Sequence, residues 1–226
     1  MLDKTDDVSI AAANWLAQFE SALAKPDDRL RALFLPDSYW RDVLALSWNL
    51  QTINGADGIL RELRARALDA SPTGFKIDPD RAAPRRVIRA GTNNIEAIFK
   101  FETAQGRGSG ILRLIPDAAD GNRLKAWTLL TALDELKGFE EQLGDSRPRG
   151  QSYSRDFRGP NWLDLRKEAA EYAGRDPDVL VVGGGHAGLT IAARLKQLQI
   201  DTLIVDRWPR IGDNWRTRYH ALTLHN

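Results

Sequence analysis

Residues 183 to 188 read Gly-Gly-Gly-His-Ala-Gly and stand between two apolar segments, Val179 to Val182 and Leu189 to Leu198. The first is a short run of branched residues ending at glycine, the pattern of a buried parallel strand. The second is apolar on most of its surface, as a helix lying on a covered sheet must be. Thr202 to Val205 supply the next strand, so the order is strand, glycine turn, helix, strand: a βαβ unit with G-x-G-x-x-G at the turn.

Each glycine has a separate task in such a turn. Gly183 permits the tight exit from the strand, Gly185 lets a diphosphate reach the backbone where a Cβ would collide, and Gly188 lets helix and strand pack closely. The phosphates then meet the unpaired amides of His186, Ala187 and Gly188 at the positive end of the helix dipole. Asp206 closes the second strand 18 residues after Gly188, near the spacing at which a carboxylate reaches a ribose diol. An acid there accepts two hydroxyl hydrogen bonds and repels a 2′-phosphate, so the site is expected to prefer FAD or NAD to NADP. His186 is either a cap or solvent-facing residue or a proton donor. His220 and His225 are expected to be bystanders.

The residues after the acid, Asp206-Arg207-Trp208-Pro209-Arg210-Ile211-Gly212-Asp213-Asn214-Trp215-Arg216, resemble the amino-terminal FAD-binding signature of flavin-containing monooxygenases. In that family a Gly-Gly-x-Trp-like loop wraps the flavin nucleotide. Here Asp213 stands in the second glycine's place, with Gly212 and Trp215 aligned. Gly212 lets the backbone approach the cofactor and Trp215 supplies a flat apolar wall. Arg207 and Arg216 are read either as offsetting phosphate charge or as exposed surface charge. The resemblance implies an enzyme that uses NADPH to reduce FAD and inserts one oxygen atom from O₂ into a heteroatom or carbonyl-containing small-molecule substrate. It also implies a second glycine fingerprint and several hundred further residues. The chain is therefore expected to be a fragment that is inactive alone, and no catalytic residue is assigned.

Upstream the period changes. Ile10, Trp15, Leu16, Phe19 and Leu23 fall near one helical face that Pro26 ends, Asp27 or Asp28 can cap a short helix through Leu33, and Tyr39 to Ile53 reads as one extended run. Ile59, Leu60, Leu63 and Leu68 suggest a third helix. From Arg85 to Leu136 four β-like runs are separated by Gly91-Thr92-Asn93, Gln105-Gly106-Arg107-Gly108 and Asp120-Gly121-Asn122, which predicts successive antiparallel hairpins. Helices ahead of a meandering sheet imply a cone with a pocket at one end. Residues 8–136 resemble the NTF2-like (SnoaL-like) domain. The expected fold is thus an α+β NTF2-like cone followed, after a linker with one helix over 137–177, by the start of an α/β Rossmann-type FAD-binding domain over 178–226. The cone would serve as a homodimerisation surface.

Tyr39, Trp40, Asp42, Trp48 and Trp127 are the candidate pocket residues. Asp42 is either functional at the opening, or solvated or paired with Arg41 or another base. Two other readings stay open: a non-catalytic NTF2-like module with a vestigial dinucleotide motif, and a small hydratase-like or cyclase-like cone enzyme that depends on Asp42.

Composition narrows the field further. There are 32 Lys+Arg against 31 Asp+Glu with the signs interleaved, which leaves no field for holding nucleic acid. No cysteine is present, and residues 1–185 contain no histidine, which removes thiolate chemistry, a Ser-His-Asp triad and a His-ligated metal there. No metal site is expected. No apolar run approaches the roughly 18 residues of a membrane span, and the acidic start is unlike a signal peptide, so the expected location is cytoplasmic without a membrane partner.

Overall fold

A computed structural model describes residues 4–24, 27–144 and 158–218. The chain divides into two units, Met1–Gly138 and Phe139–Asn226.

The first unit opens with α1 (Lys4–Leu23), whose Val8, Ala12, Trp15, Leu16, Phe19 and Leu23 are buried at helical spacing. Ile10, expected on that face, is 51% exposed; the stripe begins from Val8. Asp27 caps α2 (Asp28–Ala32) by accepting the Arg29 N–H at 2.9 Å. The expected single run from Tyr39 is broken into β1 (Phe34–Val43) and β2 (Leu50–Asn54) by a turn with Leu44 and Trp48 at φ 63° and 57°. Then follow α3 (Ala56–Ala70), β3 (Thr73–Ile77), β4 (Arg85–Arg89), β5 (Thr92–Glu102), β6 (Gly106–Asp117) and β7 (Arg123–Leu136).

Strands β4 to β7 are the successive antiparallel hairpins expected of their turns. The sheet order is β2-β1-β7-β6-β5-β3, with β4 also on β5, and β1, which lies outside those hairpins, runs parallel to β7, Trp40 opposite Leu129 and Asp42 opposite Thr131. A parallel pair needs a long crossover, which no local pattern announces. The core joins α1, α3 and the inner face of the sheet, with Phe19 edge-on to Phe75 at 5.3 Å and Phe75 stacked on Phe101 at 4.9 Å. Gly110 makes room for this aromatic layer, since a Cβ there would stand 2.3 Å from Phe99 Cζ.

Between buried Ile95 and Ala97, Glu96 takes Arg85, Arg89 and Arg113. Its carboxyl is lowered from 4.5 to about 2, chiefly by the Arg89 hydrogen bond. A carboxyl depressed in the folded state stabilises that state fully above its unfolded value and loses the contribution as pH falls toward its folded value. Acid unfolding of this unit, followed by circular dichroism, should therefore steepen between pH 4.5 and about 2. Glu96→Gln should flatten that limb; an unchanged limb would show that the cluster contributes nothing.

In the second unit Asn161 and Asp164 form a capping box at the start of α4 (Trp162–Glu171). The Tyr172 hydroxyl donates to Asp201 Oδ1 at 2.9 Å, and Arg175 lies 4.2 Å over the Tyr172 ring while pairing with Asp201. These bonds tie the end of α4 to the start of the strand that follows Asp201. Parallel strands β8 (Val179–Val182) and β9 (Thr202–Val205) flank α5 (His186–Gln197), and α6 (Asp213–Arg216) follows. Among the described residues no helix is long and apolar enough to cross a membrane.

Candidate functional site

The fingerprint residues occupy the turn between β8 and α5. Gly183 holds φ +108°, a conformation L side chains rarely adopt, and its N–H donates to Val205 O at 2.7 Å. Gly185 is the N-cap of α5 and offers no side-chain cap. The first-turn amides of His186, Ala187 and Gly188 have no acceptor within the helix. A Cβ on Gly185 would meet only Asn214 Nδ2, at 3.5 Å, so the space before that backbone is open. Gly188 is the reverse: its Cβ would stand 1.8 Å from Gly183 O and 3.2 Å from Val181 Cγ1. Helix and strand touch there through bare backbone.

Asp206 lies just beyond β9, opposite this turn. One carboxylate oxygen accepts the Trp208 N–H at 2.8 Å and the other accepts the Gly184 N–H. These backbone donors, Trp208 first, hold the carboxyl below the usual carboxylate range. It is therefore an anion at neutral pH, and each oxygen keeps a lone pair for a further donor. A cavity of about 410 Å³ opens beside it, lined by Gly184, Asp206, Trp208, Ile211, Gly212 and Asn214 among others.

Gly212 has φ +86° and starts α6. Asp213 is buried and pairs with Arg216 at 2.6 Å and Arg210 at 3.4 Å. The Arg216 hydrogen bond chiefly lowers its carboxyl. Arg216 is exposed, as its surface reading expects, and its guanidinium pairs with Asp213 and donates to the Ile211 carbonyl. Arg207 instead lies 5.1 Å over the Trp208 ring. Trp215 reaches back to the loop, its ring centroid 5.0 Å from that of His186. His220 and His225 lie outside the described residues.

Three residues of this site escaped the sequence reading: Gly184, Trp208 and Asn214. Trp208 had a signal, since an Asp often accepts the N–H two residues on. Asn214 had none, because its place over Gly185 depends on how the chain returns after β9.

The expected cone pocket does not form from its five candidates. Trp40 is fully buried and donates Nε1–H to Thr131 Oγ1 at 2.9 Å, while Tyr39 and Trp48 are exposed and Trp127 is half-buried. Asp42 is neither solvated nor paired with Arg41. It is fully buried and accepts Ser47 N–H at 2.8 Å, Ser47 Oγ–H and Thr131 Oγ1–H at 2.6 Å, and Leu46 N–H at 3.1 Å. Arg41 turns to Thr52. A cavity of about 720 Å³ opens elsewhere, beside Trp15, Gln18, Arg29, Leu33 and Arg123, and none of the five lines it.

Among the described residues, the turn after β8 is where uncapped helix amides, a glycine cradle and an ionised acid come together. These residues fit the diphosphate and ribose of a dinucleotide. Comparison with known proteins agrees. Residues 181–223 match the NAD(P)-binding Rossmann-like domain. A 47-residue stretch is 51% identical to an uncharacterized CzcO-like oxidoreductase of Geobacillus kaustophilus and 38% identical to an uncharacterized oxidoreductase CzcO of Bacillus subtilis. It covers 21% of this chain and 14% of each relative, so the chain matches only a small part of their length. The chain is also similar to nuclear transport factor 2 from Cryptosporidium parvum, at 12% identity and a TM-score of 0.40 over 58% of this chain and 95% of that one. A ketosteroid isomerase-like protein from Erwinia carotovora atroseptica gives 8% identity and a TM-score of 0.41 over 60% and 99%. Residues 181–223 are thus similar to the NAD(P)-binding Rossmann-like domain, and a 47-residue stretch of the chain is similar to part of CzcO-like oxidoreductases.

Proposed function

We propose that the second unit binds FAD as part of a flavin-dependent, NADPH-using monooxygenase acting on a small-molecule substrate. The observation that carries this reading is the open backbone at Gly185 facing uncapped amides of α5, with the Asp206 anion at the end of β9. The Gly212–Trp215 loop favours FAD over NAD, because it resembles the segment that wraps a flavin nucleotide and here brings Asn214 against Gly185.

The chain's own part is binding and placement. The amides of His186, Ala187 and Gly188 would hold the diphosphate, Asp206 would accept the ribose hydroxyls, and Trp215 would wall the site. Asp206 would repel a 2′-phosphate, so the NADPH of such a reaction is not the ligand of this loop. A bound FAD would supply the redox chemistry of such a reaction, in which NADPH is the reductant, one atom of O₂ goes to the substrate and the other leaves as water.

Calorimetric titration of the chain with FAD and with ADP-ribose tests the reading. Both should bind, and Gly185→Val should remove binding without unfolding the unit, since its Cβ meets nothing closer than 3.5 Å. Absence of heat with both ligands at millimolar concentration would end it. Asp206→Asn should weaken both by roughly ten- to a hundredfold and narrow the preference against NADP, as expected when a charged acceptor becomes an amide. An unchanged affinity would remove Asp206 from the site.

A further inference from the structure

Strand β2 (Leu50–Asn54) ends the sheet of the first unit, and among the described residues it pairs with β1 alone. Two bonds bracket that pairing, Leu44 N–H to Asn49 O at 3.1 Å and Gly55 N–H to Ser38 O at 2.8 Å. Hydrogen-bonded pairs alternate in an antiparallel ladder, so this register commits Gln51 and Ile53 to β1 and turns the N–H and C=O of Leu50, Thr52 and Asn54 outward. All three residues are exposed. Such an edge is a template for another strand unless something blunts it.

The opposite end of the sheet is blunted. There β4 carries Arg85, Arg86 and Arg89, β3 has a register shift between Thr73 and Lys76, and the Glu20 carboxylate accepts the N–H groups of Gly74 and Phe75, each at 2.9 Å. Charge, irregularity and a covering group are the usual protections of an edge. β2, Leu-Gln-Thr-Ile-Asn, has no charge, no proline and an unbroken register. It also leaves Leu50 63% exposed, with Trp48 52% exposed in the turn before it.

We infer that β2 is a pairing edge whose partner is β2 of a second copy of this chain, joined antiparallel about a twofold axis at Thr52. The outward groups at 50, 52 and 54 are symmetric about that residue. The axis therefore sets Thr52 against its own copy and Leu50 against Asn54 of the other copy, each pair able to exchange two hydrogen bonds. A strand that meets itself brings any charge near its centre against the same charge, and β2 has none to bring; threonine against threonine is a favourable cross-strand pair. On the same row Arg41 donates to Thr52 Oγ1 at 2.9 Å, and the two copies of Arg41 would stand three strand spacings apart, about 14 Å, beyond a screening length of roughly 8 Å. Pairing also takes apolar surface of Leu50 out of water. The inference concerns the first unit and does not depend on dinucleotide binding by the second.

The test is sedimentation equilibrium of the full chain from about 5 to about 500 µM, since a ladder this short is a small interface and should dissociate at about 10–100 µM. Thr52→Lys sets two ammonium groups face to face, and Thr52→Pro removes an outward N–H without removing a bond to β1. Each should weaken association more than about tenfold while the circular dichroism stays that of the wild type. A chain that is monomeric at every concentration, or an association that survives both substitutions, overturns the inference and leaves the dinucleotide reading intact. Amide hydrogen exchange supplies the second readout. On raising the concentration the amides of Leu50, Thr52 and Asn54 should slow, whereas those of Gln51 and Ile53, already bonded to β1, should keep their rates. A dimer that forms without slowing the first three is joined elsewhere, which also overturns the inference.

Discussion

Replacing Gly188 with valine should abolish dinucleotide binding, lowering affinity for FAD or ADP-ribose by more than about a hundredfold, and should loosen the second unit itself. The Cβ alone would lie 1.8 Å from the Gly183 carbonyl oxygen, which is backbone and cannot swing aside. α5 must move off β8, and its first-turn amides move with it. Overpacking of this kind costs about 1–3 kcal/mol or more, a large share of what a small βαβ unit has. Gly184→Ala is the matched control: its Cβ would come to 3.3 Å from an Asp206 oxygen, a gap that the exposed end of that side chain can widen. Binding by Gly188→Val within a few-fold of wild type would mean that helix and strand do not meet at this glycine.

Asp42→Ala is expected to destabilise the first unit by more than about 3 kcal/mol, since each buried donor left unpaired costs about 1–3 kcal/mol. It would strand the amides of Leu46 and Ser47 and the hydroxyls of Ser47 and Thr131, all gathered on one carboxylate. Asp42→Asn should cost less, about 1–3 kcal/mol, since one oxygen remains while an NH₂ meets donors. Urea unfolding of the first unit reads both, and dinucleotide binding by the second unit supplies a measure that neither should change. Were Asp42→Ala to leave stability intact yet remove an activity on a small molecule, the cone would be an enzyme in its own right. The burial of Asp42, and the failure of the candidate aromatics to line a cavity, count against that reading.

The two variants bear on different kinds of legibility. The Gly188 contact was readable because it belongs to a single turn: strand, glycines and helix are consecutive, and the steric demand at each position follows from spacing alone. The role of Asp42 was not readable. Its exposure depends on whether the run after Tyr39 continues or turns, and in the turn residues 46 and 47 deliver their donors to that carboxylate. A sequence of aromatic and branched residues reads as extended when its neighbours in space are unknown. The same holds for Arg216, which looked available to a phosphate until Asp213 proved to be buried beside it.

By itself, then, the order of residues determined the helices of the first unit, its hairpins and the glycine turn with its acid, since each rests on periodicity or spacing within a few tens of residues. Tertiary structure alone decided the parallel pairing of β1 with β7, the sealing of Asp42 against Thr131 across 89 residues, and the placing of Asn214 and Trp215 against the glycine turn. Those outcomes depend on which distant surfaces meet. A hydrogen-bond donor or an apolar face carries no mark in the chain of the partner that will satisfy it.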